Sequence, residues 1–269
     1  MSHAHRHPEL FSSPSSEDVP RGTVLLAHGF GEHRGRYDRF IDALNEAGFD
    51  AWTFDFTGHG TSPGRRSRVD VGALIGEHLD ARRDVLERTR TSDLLLFGHS
   101  MGGLITLAST LLSPARVGAV AVTGPALRPL PHINGTVATL GAKVGSLLPF
   151  LDSVALDTEL LSRDPQVVAD YEADPSVYHG KVPLITGASM AVQGRQVIRH
   201  ANLLARPTLI LHGEDDGLAS FEGSVEFAER AGDLVELVTF EGAYHELLNE
   251  PEQDTYPRAT IPRFTKGSQ

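Results

Sequence analysis

The chain has 269 residues, 35 acidic against 24 basic side chains for a net charge of −11, and no cysteine. That length is enough to bury the core of one α/β domain. The charge argues against nucleic-acid binding and simple electrostatic docking on anionic lipid, and the missing cysteine excludes disulfides, zinc–thiolate sites and a thiol nucleophile. Met1 to His7 lacks the apolar core of a signal peptide and no run of about 18 apolar residues follows, which predicts a cytoplasmic protein, peripheral to membranes at most. Residues 1–20, with His3, His5 and His7 and then a Ser/Pro/acid-rich stretch, read as an irregular tail rather than a metal site. Thr23 to Ala27 is a short apolar strand ending at His28-Gly29-Phe30-Gly31, and Phe40, Ile41, Leu44 and Ala47 then repeat at helical spacing up to Gly48. Phe49 to Asp55 reads as a strand, Phe56 to Gly64 as a loop, Val71 to Arg90 as a helix, Leu94 onward as a strand, the stretch to Leu112 as a helix, and Val117 to Val122 as a strand. Strict alternation of strand and helix implies a mostly parallel sheet covered by helices on both faces. Regularity breaks between 125 and 206, where Pro and Gly interrupt short helical patches such as Val137 to Leu151, so this stretch reads as an inserted helical cap. Pro207 to His212, Phe221 to Ala231 and Leu234 to Phe240 resume as strand, helix and strand. The core is thus expected in two parts, 21–124 and 207–252, with an atypical tail over 253–269 that contains Pro257 and Pro262.

The chemistry centres on Gly98-His99-Ser100-Met101-Gly102, which lies between an apolar strand and the apolar start of a helix. A serine in that setting sits on a sharp turn with its hydroxyl exposed at the edge of the sheet. The pattern alone is weak. A serine hydroxyl becomes a nucleophile only where an imidazole takes its proton and a carboxylate orients the imidazole. The α/β-hydrolase fold supplies these in the order Ser, Asp/Glu, His, each after a strand. The run Leu209 to Asp216 is a strand ending in an acidic loop, and Leu237 to His245 is a strand, a loop and a histidine. The spacing His-Gly-x-x-Asp selects Asp216, with Asp215 as the fallback, and His245 is the histidine placed late enough in the chain. Ser100, Asp216 and His245 are therefore the expected catalytic residues. The N–H groups of Met101 and Phe30 are the expected oxyanion donors. His28 and His59 read as loop-closing residues. Leu184-Ile185-Thr186-Gly187-Ala188-Ser189 is also strand-like before a serine, but no further strand–helix pair fits between it and Asp216, so Ser189 reads as structural.

With these residues set out, the chain closely resembles the monoacylglycerol lipase family of α/β-hydrolases from about Arg21 to Glu252. The shared motifs are His28-Gly29-Phe30-Gly31-Glu32-His33 with Arg36-Tyr37, Asp55-Phe56-Thr57-Gly58-His59-Gly60, the Ser100 turn, His212 to Asp216 and Tyr244-His245-Glu246, with Ser162-Arg163-Asp164-Pro165 and Tyr171 to Pro175 in the cap. The resemblance implies cleavage of a monoacylglycerol to glycerol and fatty acid through an acyl-Ser100 intermediate, without metal or organic cofactor. It places Glu32 and Arg36 near the polar end of the pocket, as glycerol-binding residues or as an ion pair anchoring the first loop. It gives the cap an acyl tunnel to cover, and a lipid surface to touch or the chain's own core to pack on. A lysophospholipase or broad carboxylesterase is the nearest alternative, and a non-catalytic binding protein of the same fold the alternative from another class. The family ordinarily adds a strand pair before Thr23 and a C-terminal apolar helix, and neither is legible here.

Overall fold

Four strands are predominantly apolar and buried nearly throughout because helices cover both of their faces. The computed structural model describes residues 7–129, 135–148, 150–252, 255 and 260–262. The described strands are β1 (Phe11–Ser13), β2 (Gly22–Ala27), β3 (Phe49–Thr53), β4 (Leu94–His99), β5 (Val117–Thr123), β6 (Thr208–Gly213) and β7 (Val235–Phe240). They form one sheet in the order β1-β3-β2-β4-β5-β6-β7, parallel except for β1. β2, β4 and β6 are buried at every residue and β5 at all but Gly118, whereas edge strand β7 alternates half-buried and exposed positions.

The period of two sorts the strand residues onto two cores. Leu25, Leu96, Val122 and Ile210 face a cluster with α2 (Val71–Leu86), α3 (Met101–Leu112) and α7 (Phe221–Ala231). Leu26, Leu95, Phe97 and Leu211 face the other cluster, with Phe40, Ile41 and Leu44 of α1 (Asp38–Glu46). Each fully buried side chain of this size contributes about 1.5–3 kcal/mol of transfer free energy.

The strand order reverses between β2 and β4. Chain leaving β2 enters α1 on one face and chain leaving β4 enters α3 on the other, which opens a crevice at the carboxyl ends of these strands. Ala27 stands opposite Gly98 in register, so the loop beginning at His28 and the turn at Ser100 start side by side.

The N-terminal stretch is not wholly irregular. Phe11–Ser13 pairs antiparallel with β3, Phe11 opposite Thr53 and Ser13 opposite Ala51. Three residues carry no readable alternation, and polar bonds anchor them: Ser13 Oγ donates to Asn45 Oδ1 (2.7 Å), and Asp50 Oδ1 accepts from the Ser15 amide (2.9 Å). His7 pairs with Asp84, while His3 and His5 lie outside the described residues. At the other end Ile261 packs on the second cluster beside Leu248; most of 253–269 lies outside the described residues.

Between β5 and β6 lie α4 (Gly135–Leu147), α5 (Pro165–Ala173) and α6 (Leu184–Arg199). The strand-like run at Leu184 is the first part of α6. Pro183 precedes it in extended conformation, and Met190, Val197 and Ile198 repeat at helical spacing on the first core cluster. Gly145 lets α4 cross the start of α6, since a Cβ there would lie 2.6 Å from the Ile185 nitrogen. Among the described residues no helix is long and apolar enough to cross a membrane.

Candidate active site

Ser100 carries the strain of the turn. Its φ of 53° lies in the left-handed region that costs a non-glycine residue of order 1 kcal/mol or more. The conformation is held from outside: the Ser100 amide donates to Thr123 O (2.9 Å), and Ser100 O accepts from the amides of Leu104 and Ala126 (both 3.0 Å). The flanking glycines are needed for close approach. A Cβ on Gly98 would lie 2.5 Å from Gly102 O, and one on Gly102 would overlap the carbonyl oxygen of Ala27. So α3 sits tight against β2 and β4, and the Ser100 side chain projects into the crevice.

His245, in the loop after β7, meets it there. His245 Nε2 lies 2.8 Å from Ser100 Oγ and Nδ1 lies 2.7 Å from Asp216 Oδ2. Asp216 is a saturated acceptor. Its Oδ1 takes the amides of Leu218 and Ala219 (both 2.9 Å), and its Oδ2 takes His212 Nε2 (3.0 Å) as well as His245. Because Asp216 accepts, His245 carries its proton on Nδ1 and presents Nε2 as an acceptor to the serine hydroxyl. Burial alone would raise the Asp216 pKa, but His245 and His212 hold it far below the ordinary carboxylate value. Burial alone would lower the His245 pKa, and the charge and hydrogen bond of Asp216 override it, leaving it raised. Asp215, the fallback acid, is exposed on the same loop. Ser189 is buried and donates to Thr186 O (3.2 Å) while accepting from the Val71 amide (3.0 Å), a tie between α6 and α2.

His99 lines the crevice beneath these residues, its Nδ1 2.9 Å from Thr123 Oγ1 and its ring 4.8 Å from that of His245. Burial, then the neighbouring His245, push its pKa down to about 4, so it stays neutral. Met101 opens α3, where first-turn amides have no intrahelical partner, and Phe30 lines the crevice from the loop after β2.

Glu32 and Arg36 form an ion pair and extend it. Glu32 is buried; its Oε1 accepts from the Gly29 amide and the Tyr37 hydroxyl (both 2.5 Å), and its Oε2 from Arg36 Nη1 (2.8 Å). Arg36 also donates to both carboxylate oxygens of Glu246 (2.6 and 2.8 Å), and its guanidinium lies 4.7 Å from the centre of the Tyr171 ring on α5. Burial would raise the Glu32 pKa, but Arg36 leads the charges that bring it down to about 2. Glu32 lines the cavity with Glu246, and Arg36 stands behind them. Sequence reading names Glu246 and His212 only as parts of motifs and gives neither a role. The signal for Glu246 was its place next to His245, and for His212 the spacing of four to Asp216.

Above Ser100 the crevice opens into a cavity of about 600 Å³. Its walls are mostly apolar, with Leu156, Leu160, Leu161, Met190 and Leu218 among them; Glu32, His99, His245 and Glu246 line it with Ser100, and Ser153 and Asp157 are polar residues of the 153–161 wall. Among the described residues no group of three or more His, Asp or Glu side chains is arranged to hold a metal ion.

The profile of the family described as "Serine aminopeptidase, S33" matches residues 18–252. The monoacylglycerol lipase of Mycolicibacterium smegmatis is 35% identical over 236 residues, 87% of this chain and 84% of that protein. The rat (Rattus norvegicus) monoglyceride lipase is 30% identical over 235 residues, 86% of this chain and 78% of its own. The crystal structure of the Paleococcus ferrophilus monoacylglycerol lipase superposes with a TM-score of 0.87 at 30% identity, covering 98% of this chain and all of that one.

Proposed function

Since the chain belongs to the monoacylglycerol lipase family of serine α/β-hydrolases, we propose that it cleaves monoacylglycerols to glycerol and fatty acid. The observation that carries this reading is the Ser100–His245–Asp216 chain, 2.8 and 2.7 Å, at the polar end of an apolar cavity of about 600 Å³. Ser100 Oγ attacks the ester carbonyl as His245 Nε2 takes its proton. Asp216 keeps the imidazole in the right tautomer and balances the imidazolium charge. The amides of Phe30 and Met101 stabilise the oxyanion. His245 then protonates the departing glycerol oxygen, and the acyl-Ser100 ester is hydrolysed by water that His245 activates in turn.

The headgroup end favours a neutral polyol. Two carboxylates, Glu32 and Glu246, flank one guanidinium there, leaving one net negative charge that repels a phosphate headgroup. This argues for monoacylglycerol over lysophospholipid. We take residues 125–206 as the cap that encloses the acyl chain. Its exposed Val137, Leu140, Leu147 and Phe150 suit transient contact with a lipid surface for a protein working in the cytoplasm.

The test is hydrolysis of a monoacylglycerol chain-length series by the purified protein, alongside Ser100→Ala and Ser189→Ala. The expected outcome is a clear optimum on monoacylglycerols, poor turnover of triacylglycerol, loss of activity and of fluorophosphonate labelling in Ser100→Ala, and retention of both in Ser189→Ala. Turnover of short synthetic esters alone would reassign the protein as a general esterase, and activity surviving in Ser100→Ala would overturn the mechanism.

A further inference from the structure

His28 is the last residue before the glycine-rich loop; it is fully buried and does not line the cavity. The backbone amide of Phe56, which can only donate, donates to His28 Nε2 at 3.0 Å. Nε2 is therefore an acceptor, and in a neutral imidazole the proton must sit on Nδ1. Nδ1 lies 2.8 Å from the carbonyl oxygen of Gly29 and donates to it. Burial lowers the pKa of this ring, so the neutral form is the one that persists.

The Gly29 carbonyl and the Phe30 N–H belong to one peptide group, planar and trans, so the two bonds point in opposite directions. A ring that grips the carbonyl from the protein interior turns the Phe30 N–H the other way, toward the cavity that Gly29 and Phe30 line beside Ser100. The preceding amide is fixed as well, since Gly29 N–H donates to Glu32 Oε1 at 2.5 Å. A Cβ on Gly29 would lie 2.8 Å from that oxygen and 3.3 Å from Ser100 Cβ, so the position needs glycine. Glycine, however, resists a peptide flip poorly because it has no Cβ to restrict the backbone. In the flipped state the Gly29 carbonyl oxygen would face the developing oxyanion, turning a donor into a repelling acceptor.

We propose that His28 is a positioning residue of the oxyanion hole: its grip on the Gly29 carbonyl holds the Gly29–Phe30 peptide with the Phe30 N–H facing the reacting carbonyl. The inference rests on the serine-hydrolase reading above. His28 touches no substrate; it acts through one peptide plane, and its bond to the Phe56 amide ties that plane to the loop after β3.

Three variants separate the two bonds. His28→Leu removes both; His28→Asn keeps a short amide donor near the Gly29 carbonyl; His28→Gln reaches toward the Phe56 amide instead. Loss of one oxyanion donor lowers kcat by about 100-fold or more, so His28→Leu and His28→Gln should fall by that factor with KM little changed. His28→Asn should retain most of its kcat. The decisive readout is inhibitor binding. An alkyl trifluoromethyl ketone, whose adduct with Ser100 places an oxyanion in the hole, should bind more weakly in His28→Leu and His28→Gln by the same factor as kcat. The corresponding methyl ketone should bind as in the parent. Should His28→Leu not fold, the Asn/Gln pair carries the test. The proposal is overturned if Gln and Leu keep kcat and inhibitor affinity, or if Asn falls as far as Gln. Ser100→Ala keeps the two readings apart: activity there refutes the mechanism itself, whereas an inert Ser100→Ala beside a fully active His28→Gln refutes only the role of His28.

Discussion

Around Ser100 the polar side chains are pinned by charged and multiple hydrogen bonds, while the wall at 153–161 is tied to its neighbours at scattered points. Asp216 accepts four hydrogen bonds, Glu32 three, and the Ser100 backbone makes three. The wall at 153–161 contains a single three-residue 3-10 turn and is joined to Val182 through the Ser153 and Val154 backbones and the Ser153 hydroxyl, to Glu172 through the Thr158 hydroxyl, and to the Glu246 amide through the Leu161 carbonyl. Behind it α4 leaves Val137, Leu140 and Leu147 in solvent. Bond-making chemistry requires fixed donors, because a hydrogen bond weakens steeply with angle. Enclosing a hydrocarbon chain requires only apolar surface, and the hydrophobic effect has no direction.

Substitutions at the two ends should therefore differ in kind. Asp216→Asn should lower kcat by about 10⁴-fold, since the amide favours the wrong imidazole tautomer. The pH profile gives a second reading. The parent should lose activity as pH falls through the raised pKa of His245, because protonation would remove the proposed base. Without the Asp216 charge, burial dominates and the acidic limb of the residual activity should move to lower pH. An unmoved limb would show that His245 is not the titrating base.

Arg36→Ala comes next in size. It strands two buried carboxylates, and breaking a buried pair in this way costs about 3–5 kcal/mol. In the parent, Glu32 has a pKa of about 2 against an ordinary 4.5, so its contribution to stability is complete above pH 4.5 and is lost as pH falls toward 2. In the variant burial raises that pKa, so the ionised carboxylate opposes folding at neutral pH and acid relieves it. Urea melts should show the gap between parent and variant narrowing as pH drops from 7 to 4. A constant gap would mean that lost packing on Tyr171, not charge, is responsible.

The smallest effect belongs to α4, none of whose residues line the cavity. Leu147→Ser, at an 80% exposed position, should change stability by no more than about 0.5 kcal/mol. It should leave kcat on a monomeric short-chain monoacylglycerol unchanged and weaken binding to vesicles. A large fall in melting temperature would show that α4 is anchored more firmly than its exposure implies.

What could be read in the sequence follows the same division. The buried parallel strands were legible because covering both faces makes each a continuous apolar run, as in Leu94 to Phe97. The order Ser100, Asp216, His245 is legible because each follows a strand, Ser100 and Asp216 an apolar buried one and His245 the alternating edge strand β7. β1 was hidden: Phe11–Ser13 is held by backbone pairing and by Asn45, neither of which leaves a mark on hydropathy. The start of α6 looked like a strand because a short apolar run carries no period of its own. The choice between two roles for Glu32 and Arg36 needed coordinates, because Glu246, 210 residues from Arg36, completes their network.

The sheet order also sets when the chain becomes reactive. Ser100 stands on a turn built by β4, α3 and β5, all complete by residue 123. Its partner His245 follows β7, which joins the sheet beside β6 only after the long excursion through α4, α5 and α6. A chain emerging from the ribosome can therefore form the strained turn early and remain chemically silent, with a plain serine hydroxyl at its tip. On the proposed mechanism the Ser100 hydroxyl has no base until β7 has joined the sheet and brought His245 to it.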